Sequence, residues 1–144
     1  FHTTPMCSPS RAILMTGLEA HEAGYGTMGE FIAPNQRGRP GYEGRLKTDV
    51  TTVAEALQSA GYATVMAGKW HLGDAGPDQH GFEKSFALLD GASSHFDDAG
   101  YGSMRPRAQY LEDGRSVRPP EGFYSTDFYT DRTLEHVRAT PRDR

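Results

Sequence analysis

Cysteine is almost absent from this chain of 144 residues, in which Cys7 is the only one. A single thiol can form no internal disulfide and cannot build a thiolate zinc site. No apolar run approaches the ~20 residues that span a bilayer. No stretch has the charged, apolar, small-residue order of a signal peptide, although one could precede Phe1. The sequence therefore predicts no membrane segment within these residues.

A strong charge of either sign is also lacking, since the formal net charge is −4. The basic residues are scattered, apart from a cluster in a Gly/Pro-rich loop that we interpret as solvated: Arg37, Arg39, Arg45 and Lys47. This balance predicts no nucleic-acid partner. Glycine (17 residues) and proline (9 residues) are plentiful, and 36% of the chain is hydrophobic, which is typical of a loop-rich domain of modest size.

The residues around Cys7 predict the beginning of a helix. Ser8 can cap a helix, and Pro9 suits the first helical turn. Residues 11–16 then have the pattern of a short buried helix, which Gly17 would end. Unpaired backbone N–H groups at a helix N-terminus favour negative charge, so Cys7 is predicted to lie where an anion is stabilised.

Residues 52–73 predict a helix, a tight turn and a strand, which is half of an α/β unit. Thr52 and Glu55 match a capping box, and apolar residues follow at helical spacing until Gly61. Residues 62–67 form a short apolar run that is typical of a buried strand. The segment after it would lie at the carboxyl end of the strand, where open α/β sheets bind ligands.

The other segments carry weaker local signals. Residues 18–50 are rich in Gly and Pro and form a long excursion, which in a compact domain is often functional. Strands are predicted over residues 83–88 and near 107–111, with a hairpin turn at Asp113-Gly114. A last helix is predicted over residues 124–137.

The motif Cys7-Ser8-Pro9-Ser10-Arg11, with Leu14-Met15-Thr16-Gly17 behind it, resembles the sulfatase signature at every defining position. In that family a maturation enzyme oxidises this cysteine to formylglycine, and recognition depends on the positions of Cys7, Pro9 and Arg11. The resemblance implies that the hydrated aldehyde attacks the sulfur of a sulfate ester, releasing the alcohol and then sulfate. It also implies that Arg11 holds the formylglycine and helps to bind the anion.

The modification has a chemical reason. A thiol that attacked a sulfate ester would leave a stable adduct, whereas two hydroxyls on one carbon allow attack by one and release of sulfate through the other. A helix N-terminus and a neighbouring cation would stabilise both the ionised diol and the sulfate.

Residues 61–71, which end in Gly68-Lys69-Trp70-His71, resemble the second sulfatase signature. Lys69 and His71 alternate, so in an extended segment their side chains would point the same way. Lysine offers a fixed positive charge, and histidine can hydrogen-bond the diol or relay a proton near neutral pH. The resemblance implies that both residues contact the formylglycine and the sulfate oxygens.

Two further polar pairs are candidates for site residues. Ser94-His95 lies where some sulfatases have a Ser-His pair whose serine reaches the sulfate, and a polar loop cap is the alternative. Asp97-Asp98 comes after the nucleophile, whereas the family's metal-binding Asp pair comes before it, so we interpret these aspartates as a turn.

The remaining histidines have no partners at metal-ligand spacing and are interpreted as structural or solvated: His2, His21, His80 and His136. His21 lies in a loop that borders the active-site mouth in the family, where a role in substrate selection is secondary. Residues 24–46 also resemble a segment of the arylsulfatase branch, which does not identify the substrate.

The resemblance implies an α/β fold, part of an alkaline-phosphatase-like sandwich with a mixed, largely parallel sheet flanked by helices. Residues 1–144 would form a partial catalytic domain without the first strand and the C-terminal part. The implied cofactor is calcium, a hard cation that suits carboxylate and amide oxygens. Its ligands would come mostly from segments outside this sequence, and here only Cys7, as formylglycine, would ligate it. We therefore expect this piece alone to bind calcium poorly and to turn over little or no substrate.

The implied partners are a small-molecule or sugar sulfate ester and the maturation enzyme. Three alternatives stay open: a formylglycine-dependent phosphonate or phosphate ester hydrolase, a non-enzymatic anion-binding relative, and an inactive truncated product. The presence of Cys7, Arg11 and Lys69 argues against the non-enzymatic relative. The particular ester, the oligomeric state and the compartment are open, although many bacterial relatives are exported to the periplasm or beyond.

Overall fold

The computed structural model describes residues 3–101 and 105–141. The prediction for His2 lies outside these ranges. The helices are α1 (Cys7–Thr16), α2 (Val53–Ser59) and α3 (Ser125–Ala139), and the strands are β1 (Val65–Lys69), β2 (Lys84–Leu88), β3 (Tyr110–Glu112) and β4 (Arg115–Val117). Single 3-10 turns lie at Gly29–Phe31 and Pro77–His80. No helix in the described ranges has the length and apolar character needed to cross a membrane.

The four strands form one sheet in the order β1-β2-β3-β4. β1 and β2 are parallel, while β3 pairs antiparallel with both β2 and β4. The predicted hairpin between β3 and β4 is confirmed, and its turn residues Asp113 (φ 46°) and Gly114 (φ 77°) have the left-handed backbone of a type I′ turn. The sheet is therefore mixed, as the family resemblance implies.

Both faces of β2 are buried, because successive strand residues point to opposite sides of the sheet. Phe86 and Leu88 belong to one apolar cluster, in which Phe128 of α3 packs on Phe86 with ring centroids 4.7 Å apart. Ala87 belongs to a second cluster that contains Ala12 of α1 and Trp70. The sheet is thus flanked by helices, which confirms the predicted architecture.

Helix α1 begins at Cys7, and Met6 is the N-cap residue without a side-chain cap. The prediction that Ser8 caps the helix is wrong, because Ser8 lies inside the first turn with its side chain buried. Pro9 fits the same turn as predicted. Gly17 ends the helix in the left-handed conformation (φ 70°) and donates its N–H to the Ile13 carbonyl at 2.8 Å, so the predicted end is confirmed.

The capping box of α2 is confirmed. The Thr52 hydroxyl accepts the Glu55 N–H at 3.1 Å, and the Glu55 carboxylate accepts the Thr52 N–H at 2.7 Å. The Thr52 hydroxyl also donates to the His80 carbonyl at 2.8 Å. β1 lies three residues later than the predicted strand at its start and includes Lys69, so this lysine is the last residue of the strand.

Thr52→Ala is expected to weaken α2 by about 1 kcal/mol, the usual cost of losing an N-cap oxygen. Amides of Val53–Ser59 should then exchange about fivefold faster in hydrogen-exchange mass spectrometry of the full-length protein. Thr51→Ala, at an exposed position just before the cap, is the control and should leave exchange unchanged. Equal exchange in the two variants would contradict a stabilising role for this cap.

Candidate active site

Arg11 joins the two sequence motifs. Its Nε donates to the Trp70 carbonyl at 2.6 Å, and its Nη2 donates to the Lys69 carbonyl. One planar guanidinium thereby fixes α1 to the end of β1 through two adjacent carbonyl groups. The motifs that lie far apart in the sequence therefore meet at one place in the fold.

The electrostatic setting of Arg11 reflects this position. Burial lowers the pKa of its guanidinium, while the nearby Cys7 side chain raises that pKa. Arginine stays charged in proteins, so a fixed positive charge lies beside Cys7. This is the neighbour that the resemblance implies for the nucleophile.

Cys7 is exposed and occupies the first position of α1. The next two residues, Ser8 and Pro9, are buried, so the first turn of α1 is packed against the protein although the Cys7 side chain is exposed. The prediction that Cys7 lies at a helix N-terminus is confirmed. An oxygen anion formed there would face the unpaired N–H groups of the first turn.

His71 directly follows Lys69 and Trp70, whose carbonyls accept from Arg11, and its backbone conformation is unusual. Its φ of 52° is in the left-handed region, which residues other than glycine and asparagine rarely adopt. The expectation of an extended segment through Lys69 and His71 is therefore wrong at His71. His71 is buried in this conformation, with 9% of the residue exposed.

The His71 ring meets a residue that sequence reasoning missed. Its Nε2 lies 3.0 Å from Oε1 of Glu30, which belongs to the 3-10 turn in the excursion of residues 18–50. Its Nδ1 is buried and has no hydrogen-bond partner among the described residues. Burial is the main cause that lowers the pKa of His71; Glu30 raises this pKa, and Lys69 and Arg11 lower it.

A cavity of about 290 Å³ opens beside His71. Ser8 also lines it, and its hydroxyl is buried without a partner in the part of the chain that the structure describes. The wall further includes Glu30, Tyr25, Asp74 and Asp90. Burial raises the pKa of Tyr25, with smaller contributions from Glu30 and Asp74, so its phenol is neutral. The cavity therefore offers both hydrogen-bond donors and acceptors next to the motif residues.

Lys69 ends β1, paired with Leu88 of β2, and its side chain is partly exposed. Its positive charge acts on His71, where it lowers the pKa of the imidazole. Arg11 contacts the Lys69 backbone, and both residues act electrostatically on His71, so these three residues form one group. The individual catalytic roles of these residues stay predictions.

Ser94 takes part in a loop. Its hydroxyl accepts the Phe96 N–H at 3.1 Å, and its own N–H donates to the Ala99 carbonyl at 2.8 Å. It is not among the residues that line the cavity beside His71. These contacts agree with a polar loop cap, and the sulfate contact of Ser94 stays a prediction.

The aspartates after this serine belong to local loop structure, in agreement with the predicted turn. Asp97 accepts the Ala99 N–H at 2.9 Å. Asp98 accepts two hydrogen bonds from Arg107, at 2.8 Å and 3.0 Å, and one from Arg118 at 3.2 Å. Both carboxylates are therefore engaged in local structure.

Two histidines outside the second motif, His21 and His80, have structural contacts. His21 Nε2 lies 3.0 Å from the Tyr42 hydroxyl, and the His80 ring lies 5.5 Å from the Trp70 ring. Within residues 3–101 and 105–141, no group of three His, Cys, Asp or Glu side chains could hold a metal ion. Calcium takes six to eight oxygen ligands. The described residues therefore do not form a calcium site, and we derive no step through a metal.

Comparison with known proteins agrees with this geometry. The family model for sulfatases matches residues 1–144. The chain is 40% identical over 148 residues to an arylsulfatase from Klebsiella aerogenes, covering 99% of this chain and 32% of that relative. It is 36% identical to an uncharacterized sulfatase from Schizosaccharomyces pombe, covering 96% of this chain and 27% of the relative.

Solved structures show the same likeness. A protein crystallised with its substrate D-glucosamine-2-N,6-O-disulfate superimposes with a TM-score of 0.68 at 26% identity, over 99% of this chain and 24% of that one. Ps i-CgsB superimposes with a TM-score of 0.69 at 26% identity, over 93% and 31%. The chain belongs to the sulfatase family, and it spans about a quarter to a third of the length of these relatives.

Proposed function

We propose that this chain is the nucleophile-bearing part of a sulfate ester hydrolase of the arylsulfatase type. The observation that carries the proposal is that Cys7 is exposed at the start of α1, while Arg11 of the same helix donates to the backbone carbonyls of Lys69 and Trp70. The 40% identity to a bacterial arylsulfatase over nearly the whole chain supports the same reaction. Residues 1–144 are proposed to form a partial catalytic domain.

Each residue of this group has a chemical task in the proposal. Once oxidised to formylglycine and hydrated, Cys7 would supply two hydroxyls on one carbon, one for attack on sulfur and one for the release of sulfate. Arg11 stabilises negative charge next to that position, and Lys69 provides a cation for the sulfate oxygens. His71, neutral at pH 7 because burial lowers its pKa, can accept a hydrogen bond from a hydroxyl.

The substrate in this proposal is an aryl or sugar sulfate. One structural relative was solved with a disulfated glucosamine, which supports a sulfated sugar, and the similarity to an arylsulfatase supports an aryl ester. A formylglycine-dependent phosphonate or phosphate ester hydrolase is the alternative. Calcium and a formylglycine-generating maturation enzyme are proposed from family membership, with most metal ligands contributed by other segments.

Mass spectrometry of the Cys7 peptide tests this proposal most directly. The full-length protein, produced together with the maturation enzyme, should show conversion of the Cys7 thiol to an aldehyde. Pro9→Ala should reduce conversion strongly, because recognition depends on this position, whereas Pro5→Ala, at an exposed position outside the motif, should not. An unmodified Cys7 in the presence of an active maturation enzyme would overturn the mechanism. Turnover of p-nitrophenyl sulfate against p-nitrophenyl phosphate and a phosphonate monoester then separates the two hydrolase classes.

A further inference from the structure

Glu30 reaches His71 across 41 positions of sequence, from a segment with no regular periodicity. The contact is well shielded, because the two side chains are 11% (His71) and 22% (Glu30) exposed. Neither family motif contains Glu30. Its contact with a motif histidine gives the long excursion of residues 18–50 a definite link to the candidate site.

The chemistry of this pair determines where the imidazole proton lies. An ionised carboxylate can only accept hydrogen bonds, so Nε2 of His71 must donate. In the neutral ring the lone pair then lies on Nδ1. That atom is buried, lacks a partner among the described residues, and belongs to a side chain that lines the cavity. A lone pair is thus left without a partner among the described residues, on a ring that lies within the electrostatic influence of Lys69 and Arg11.

Close backbone packing limits the positions of both Glu30 and the His71 ring. Gly29, which precedes Glu30, packs closely on Gly44: a Cβ at Gly29 would lie 3.3 Å from the Gly44 carbonyl oxygen. On the other side, a Cβ at Gly91 would lie 2.8 Å from Cε1 and 3.0 Å from Nε2 of the His71 ring. The absence of a side chain at Gly91 therefore leaves room for the His71 ring in this place.

We propose that Glu30 is a positioning residue that fixes the Nε2–H tautomer of His71, so that Nδ1 presents a hydrogen-bond acceptor to the reacting hydroxyl. The inference rests on the proposed sulfate ester hydrolysis for its catalytic consequence. The tautomer itself is a property of this chain and can be measured without turnover.

Nitrogen NMR of the full-length protein with 15N-labelled histidine tests the tautomer. Wild-type His71 should be the Nε2–H form, and Glu30→Gln should give a mixture, because an amide can either donate or accept at Nε2. The charged groups that face His71 are Glu30, Lys69 and Arg11. Loss of the carboxylate removes the one negative charge among them, so the midpoint of the His71 titration should fall in Glu30→Gln.

The control is Glu19→Gln, at an exposed position of the same excursion, which should leave the His71 signals unchanged. Gly91→Ala provides a second perturbation, since its methyl group displaces the ring from Glu30 without touching the carboxylate. It should also disturb the tautomer. An Nδ1–H form in the wild type, or spectra of Glu30→Gln that match the wild type, would overturn the proposal.

Kinetics give the second readout. Loss of an orienting carboxylate typically costs about 10- to 100-fold, here expected in kcat with little change in KM. Because neutral His71 is required, activity should be lost as pH falls through its pKa, and this acid limb of kcat/KM should move to lower pH in Glu30→Gln. A wild-type protein inactive on all sulfate esters would refute the proposed function and leave the tautomer result standing. An active wild type with Glu30→Gln unchanged in kcat and pH profile would refute the positioning role alone.

Discussion

Cys7→Ala is expected to abolish sulfate ester hydrolysis by the full-length protein without lowering its stability. The Cys7 side chain is exposed, so its removal leaves no cavity. Alanine is also the best helix former, and substitutions at such surface positions usually change the free energy of unfolding by less than about 0.5 kcal/mol. Removal of the nucleophile from a covalent mechanism, in contrast, typically lowers kcat by about 10⁴-fold or more.

Two measurements separate these effects: turnover of p-nitrophenyl sulfate and the thermal unfolding midpoint. Leu14→Ala is the matched control on the same helix, because Leu14 is 73% exposed and lies two turns from Cys7. It should retain both turnover and stability. Substantial turnover by Cys7→Ala would show that another group attacks sulfur, and the proposed mechanism would then be wrong.

Local sequence patterns predicted those parts of the fold that depend on near neighbours. The capping box at Thr52 and Glu55, the Gly17 helix end and the Asp113-Gly114 hairpin each involve residues within a few positions of one another. Their geometry follows from backbone and side-chain chemistry that a short window contains. The beginning of α1 was misplaced because Ser8 is a good N-cap by type, yet its side chain is buried in the first turn.

Local sequence patterns did not predict the long-range contacts within the candidate site. Arg11 donates to the backbone carbonyls of Lys69 and Trp70, and every residue carries a carbonyl, so no side-chain type marks the partner. Glu30 lies 41 positions before His71, in the excursion of residues 18–50. That segment has no periodic pattern from which its contact with His71 could be predicted. No local sequence pattern predicts the left-handed backbone of His71, since residues other than glycine adopt this conformation uncommonly.

These contacts also link the exposed Cys7 to the buried His71. α1 presents Cys7 at its start, and four residues later Arg11 fixes the helix to the strand that carries Lys69. His71 follows directly and turns inward to Glu30. We therefore expect the position of Cys7 relative to Lys69 and His71 to depend on the Arg11 guanidinium.

Arg11→Lys tests whether the position of Cys7 depends on the guanidinium group of Arg11. The substitution keeps the positive charge but removes the planar group that donates to two carbonyls. An ammonium group has a shorter reach and cannot donate to both carbonyls in the geometry of the guanidinium. Hydrogen bonds from charged donors contribute about 1.5–3 kcal/mol each, so we expect a loss of about 2–4 kcal/mol. Turnover should fall by at least about 100-fold, since misplacement by 1 Å can cost that much.

The measurements are thermal unfolding, hydrogen exchange of β1, and turnover, each on full-length protein. Mass spectrometry of the Cys7 peptide must accompany them, because Arg11 also belongs to the maturation motif, and turnover is therefore normalised to the converted fraction. Arg37→Lys, the same exchange at an exposed position, is the control and should behave as wild type. If Arg11→Lys kept wild-type stability and normalised turnover, charge alone would be sufficient at this position. The two carbonyl contacts would then have no part in aligning Cys7 with Lys69 and His71.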